Sequence, residues 1–127
     1  MNKSTLAALL IGVIAPFTAS AALAKDAHVV AAKAVQTGTG TWRFDVTVKS
    51  NDTGWKKYAD RWDVLDQNGK VLGTRILHHP HQSEQPFTRS LSGVRIPKGV
   101  TRVTIRAHDK VNGYGGRTVT LTLKARS

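Results

Sequence analysis

Three of the five histidines fall within four positions, in Leu77-His78-His79-Pro80-His81-Gln82-Ser83-Glu84-Gln85-Pro86. Imidazole nitrogens suit zinc, copper(II) or nickel, and a carboxylate follows at Glu84. Pro80 and Pro86 force extended or turn backbone, so the segment reads as a loop leaving a strand. His78 and His79 point to opposite sides if that strand continues. The metal set that geometry allows is therefore His78 or His79 with His81 and Glu84, completed by His108 from a later strand. The candidate ligands are His79, His81, Glu84 and His108, with copper or zinc as the ion. The competing role is local: the same side chains hydrogen-bond the loop's own backbone and fix its shape. An amino-terminal copper site needs histidine third in the chain. His28 would be fourth after cleavage at Ala24, so that pattern is missed.

Asp60-Arg61-Trp62-Asp63 offers two carboxylates, the pair that glycoside hydrolysis uses as acid and base. Residues three apart on a strand project to opposite faces, so Asp60 and Asp63 are not expected to meet one substrate. A salt bridge to Arg61 or Arg89 is the expected role. Asp109-Lys110-Val111-Asn112-Gly113-Tyr114-Gly115-Gly116 is a glycine-rich hairpin loop that leads into a strand. It therefore lacks the helix N-terminus of a phosphate cradle. Tyr114 either packs over the end of the fold or serves as a contact residue on a binding loop, a role that loops on a rigid scaffold often take. No Gly-x-Ser-x-Gly elbow, His-Glu-x-x-His motif or cysteine is present, which argues against an enzyme.

The elements that must hold these residues have a period of two. Trp42, Phe44, Val46 and Val48 alternate with polar groups, as in a strand with one buried side. Val103 to His108 and Thr118 to Lys124 repeat the alternation. Further strands are expected over Ala27 to Val35, Tyr58 to Asp66, Val71 to Leu77 and, briefly, Phe87 to Leu91. Asn68-Gly69 is a hairpin signal, because tight turns demand positive φ. About seven strands at this spacing predict an all-β antiparallel sandwich, immunoglobulin- or fibronectin-like, with a small barrel as the alternative. Its expected core is Trp42, Phe44, Trp62, Val64, Leu72, Ile76, Val103, Ile105, Val119 and Leu121.

The N-terminus reads as a signal peptide over residues 1–24. Lys3 precedes an apolar run from Leu6 to Phe17, and Ala22-Leu23-Ala24 fits the small-x-small cleavage rule. A spanning helix needs roughly 20 apolar residues, and this run is shorter. Residues 25–127 would form one domain with no anchor after processing. Lys and Arg total 19 against 8 Asp and Glu, a formal charge of +11. Such a field attracts anionic envelope partners such as lipid head groups, lipopolysaccharide or acidic proteins, rather than nucleic acid. The basic residues are nonetheless spread along the chain, as on an ordinary solvated surface.

Several strings taken together carry a resemblance. They are Asp52-Thr53-Gly54-Trp55, Tyr58-Ala59-Asp60-Arg61-Trp62, His79-Pro80-His81, Glu84 to Leu91, and Ala107-His108-Asp109 with Gly113-Tyr114-Gly115-Gly116. They resemble a family of small exported proteins of Gram-negative bacteria, over about Trp42 to Leu123. The resemblance implies a periplasmic β-sandwich and no particular activity or cofactor. The expected function is a non-enzymatic binding or accessory module of the periplasm. Its contact surface would lie on loops at one end and include Trp55, Arg89 and Tyr114. Another envelope protein or a small polar ligand would be the partner, with copper or zinc binding as the alternative function.

Overall fold

The computed structural model describes residues 25–124. The expected signal peptide and the last residues of the expected domain lie outside the described residues. Seven strands follow in order: β1 (His28–Gly38), β2 (Thr41–Lys49), β3 (Ala59–Leu65), β4 (Val71–Ile76), β5 (Phe87–Arg95), β6 (Arg102–Asp109) and β7 (Val119–Thr122). They form two antiparallel sheets, β1-β2-β5 and β4-β3-β6-β7. The described residues contain no helix, and so none long and apolar enough to cross a membrane.

Alternation decides which side chains are buried. Trp42, Phe44, Val46 and Val48 from β2 face Trp62 and Val64 from β3 and Val103, Ile105 and Ala107 from β6. Phe87 and Val94 close the core from β5. Each large apolar side chain buried in this way contributes about 1.5–3 kcal/mol. With no cysteine in the chain, no disulfide supplements that packing. Leu72, Val119 and Leu121 pack against the core while only partly buried.

Ile76 departs from expectation: it is 46% exposed. Register explains it. Asp63 pairs with Thr74 and Arg61 with Ile76, so Ile76 shares the outer face with these polar residues. Gly73 turns inward instead, and a Cβ there would lie 3.2–3.3 Å from the Leu91 and Val94 side chains of the other sheet. The β3–β4 pairing slips between Val64 and Leu65, which separates the orientation of Leu72 from that of Ile76.

Two other irregularities move strands relative to the simple pattern. The fifth strand runs to Arg95 rather than Leu91, crossing a bulge opposite Arg43 where Gly93 takes φ 69°. A second bulge sets both Asp60 and Arg61 against His108, because Ala59 pairs with Asp109 and Arg61 with His108. The Asn68-Gly69 hairpin forms as expected. Gly69 adopts φ 85°, and Asp66 Oδ1 accepts from the backbone N–H groups of Asn68 and Lys70, both at 2.8 Å.

Candidate functional site

The β2–β3, β4–β5 and β6–β7 connections meet at one end of the sandwich, where two buried carboxylates hold them. Asp52 accepts from Ser50 Oγ at 2.7 Å, from the Ala59 backbone at 3.0 Å and from the His81 backbone at 2.8 Å. It therefore joins the first connection to the second. Asp109 is fully buried. Lys57 Nζ lies 2.7 Å from its Oδ1, while Oδ2 accepts from the Val111 and Asn112 backbones at 2.9 and 2.8 Å. Lys110 completes the contact, its N–H donating to Tyr58 O and its Nζ to Trp55 O, each at 2.9 Å.

The histidine segment is a loop, and its three rings differ in surroundings. His78 and His79 are exposed, and His79 Nδ1 lies 3.1 Å from Pro80 O. His81 is only 6% exposed. Its ring stacks on Phe87 at 3.9 Å between centroids, with His79 at 4.6 Å. Neither ring nitrogen of His81 has a hydrogen-bond partner among the described residues. Burial pushes its pKa down, and the positive charge of Arg89 and His79 adds to the effect. Glu84 turns to Arg89, with Oε1 3.0 Å from Nη2 and Oε2 3.4 Å from Nη1. That guanidinium holds the Glu84 carboxyl below the usual carboxylate range and lies 5.5 Å from the Phe87 ring.

His108 is used elsewhere. Its Nδ1 lies 2.6 Å from Asp60 Oδ1, and its ring meets the Tyr114 ring edge-on at 4.6 Å. The structure thus does not bring His79, His81, Glu84 and His108 into one site. Among the described residues no three His, Asp or Glu side chains are arranged to hold a metal ion.

The bulge in β3 also alters the reading of the two carboxylates. With Asp60 and Arg61 both set against His108, Asp60 reaches the outer face that Asp63 already occupies. Asp63 accepts from Thr74 Oγ1 at 2.7 Å, Arg106 Nε at 3.0 Å and the Tyr114 hydroxyl at 3.0 Å. The partners are therefore His108 for Asp60 and Arg106 for Asp63. Arg61 contributes only a 3.9 Å approach to Asp60, and Arg89 pairs with Glu84. Tyr114 sits in the middle of this cluster. Its hydroxyl accepts from Arg61 Nε at 3.1 Å, and the Arg106 guanidinium lies 3.8 Å from its ring centroid.

Trp55 has the opposite environment. It is 62% exposed, as is Val111 on the neighbouring connection. Tyr58 approaches its ring edge-on at 5.7 Å, and no described acceptor is bonded to its indole N–H. The arrangement holds an apolar tip outward into solvent. Asp52 and Asp109 were missed as positioning residues. For Asp109 the available signal was an aspartate directly ahead of a turn, where a carboxylate caps free backbone N–H groups. Asp52 bonds to the distant Ala59 and His81 backbones, which no local pattern signals.

A protein of the halophilic archaeon Halomicrobium mukohataei named "Putative lipoprotein" is 41% identical over 93 residues, 73% of this chain. The chain spans 45% of that relative's length. No family model matches the chain, and no solved structure matches it.

Proposed function

We propose that this chain is a non-enzymatic binding or accessory module of the cell envelope, working in the periplasm after export. Its contact surface is the loop end of an immunoglobulin- or fibronectin-like sandwich. The observation that carries this reading is the contrast at that end: Trp55 is 62% exposed on a pinned loop, while Asp60 and His108 bond to each other, as do Glu84 and Arg89. A large aromatic held outward on a fixed scaffold is suited to binding. The strand order β1-β2-β5 against β4-β3-β6-β7 supports the fold assignment, since β5 returns to the first sheet and β4 forms an edge of the second. The relative named as a lipoprotein supports an envelope setting.

Hydroxyl-radical footprinting of the full chain, alone and mixed with isolated cell envelopes, tests the assignment. Trp55 is expected to become protected while Val71, exposed at the opposite end, does not. Equal labelling of Trp55 in both samples would overturn it.

A further inference from the structure

We infer that the Trp55 and Val111 loop tips are a docking surface for a bilayer carrying anionic head groups, an inference that rests on the loop end being the contact surface. Three observations lead there. Trp55 and Val111 are each 62% exposed, and the bonds from Lys110 to Trp55 O and Tyr58 O fix their two loops together. Lysines surround them: Lys25, Lys56 and Lys110 have no carboxylate in salt-bridge range among the described residues. The nearby Asp109 is buried and already matched by Lys57, and Asp26, which accepts from Asn112 Nδ2 at 3.3 Å, offsets one of the three lysines and leaves the tip net positive.

An indole flanked by lysines matches a membrane interface, where the ring lies among the head groups and the ammonium groups meet lipid phosphates. Protein–protein interfaces are depleted in lysine, so this composition favours lipid over a protein partner. The formal charge of +11 acts in the same direction at longer range.

The three tryptophans make the inference directly measurable. Trp42 and Trp62 are buried, at 6% and 0% exposure, whereas Trp55 is not. Quenching of emission by brominated lipid therefore reports insertion of Trp55. The full chain is titrated with brominated phosphatidylglycerol–phosphatidylcholine vesicles and with brominated phosphatidylcholine alone. Any lipid affinity of the N-terminal segment is common to the wild type and to every variant, so the differences between them isolate the loop tips. Quenching is expected with the anionic vesicles only, weakening as salt screens the lysines. Binding of Trp55→Ala, followed by co-sedimentation with the vesicles because the substitution removes the reporting indole, should weaken about tenfold, in line with loss of an interfacial aromatic. Combined Lys25→Glu and Lys56→Glu, which leave the Lys110 bond to Trp55 O in place, should remove the quenching at physiological salt. Equal quenching by both lipids, no quenching, or quenching unchanged by the lysine reversals would overturn the inference. If vesicle binding fails while envelope footprints still protect Trp55, the loop end contacts something other than lipid and the broader function stands.

Discussion

Tyr114 and Trp55 lie on neighbouring connections at the same end of the sandwich, and each is an aromatic directly preceded by glycine. Tyr114 is drawn onto the outer face of the four-stranded sheet. There Asp63, Arg61, Arg106 and His108 use its hydroxyl and ring together. Trp55 meets one ring edge and is otherwise open. The difference comes from what each residue has within reach. A phenol can donate and accept, so a field of carboxylate and guanidinium groups holds it. An indole with no acceptor nearby has nothing to bind it down. Aromatic identity nominates both residues, and hydrogen-bond capacity in the neighbourhood separates them.

The largest expected effect comes from releasing the frame on which both residues depend. Asp109→Ala leaves the Lys57 ammonium without its partner and two turn N–H groups without an acceptor. Breaking a buried pair from one side costs about 3–5 kcal/mol. Lys57 keeps some water contact, its side chain being 16% exposed, so the lower figure applies. For a domain of this size that is a fall in melting temperature of roughly 15 °C. Thermal unfolding followed by circular dichroism measures it. A fall of only a few degrees would mean that the loop end is not held by this carboxylate, and the contrast between a bound and a free aromatic would lose its basis.

Tyr114→Phe sharpens the comparison from the other side. It keeps the ring under Arg106 and removes the two hydroxyl bonds, leaving Asp63 with Thr74 and Arg106. A cost of about 1–2 kcal/mol is expected for hydrogen bonds to charged groups that are partly exposed. Vesicle binding should be unchanged. Urea unfolding measures the first effect and bromolipid quenching the second. A loss of binding with little loss of stability would make Tyr114 a contact residue after all.

The strands were legible because one period-two pattern dominates each of them. Trp42 to Val48 and Val103 to Ala107 bury every second residue, as the alternation requires. What misled the pattern was slippage that no single residue announces. The bulge at Asp60 puts two consecutive side chains opposite one partner and so cancels the expected separation of Asp60 and Asp63. The offset near Leu72 similarly sends Ile76 outward and Gly73 inward. Gly116 was legible only as one member of a glycine-rich hairpin loop. In the structure it is needed because a Cβ there would collide with the Ala27 carbonyl, a contact between the two ends of the described chain. For the candidate site, residue types drew attention to the correct loops but not to the partners within them. Arg89 reaches Glu84 across the turn at Pro86, and His108 reaches Asp60 only through the bulged β3–β6 register.

A smaller effect depends on pH. His81 is buried with both nitrogens unpaired, against Phe87 and His79, with Arg89, Glu84 and Asp52 around it. Its folded pKa lies below the ordinary histidine value of 6.5, so the unfolded chain binds the proton more readily. The stability contributed by neutral His81 is present in full above 6.5 and is lost as pH falls from there through the folded value. His81→Phe removes this titration and keeps a ring against Phe87. The melting temperatures of the two proteins should converge near neutrality and separate on acidification, with the wild type falling further. Parallel curves would show that His81 gains a proton without disturbing its packing. The Glu84–Arg89 pair would then be the determinant of the loop's shape.

The smallest expected change in stability belongs to the residue with the largest expected role. Trp55→Ala removes a side chain that touches one neighbouring ring edge and buries little surface. Substitutions of that kind stay within about 0.5 kcal/mol. The Trp55 backbone carbonyl still accepts from Lys110, so the loop keeps its position and any loss of lipid binding is a loss of contact rather than of fold. Urea unfolding of Trp55→Ala should therefore overlay the wild type while vesicle binding falls. A destabilisation as large as that of Tyr114→Phe would place Trp55 among the residues that hold the end together. In that case exposure would not be the property that distinguishes the two aromatics, and the bilayer surface would have to be sought at the lysines alone.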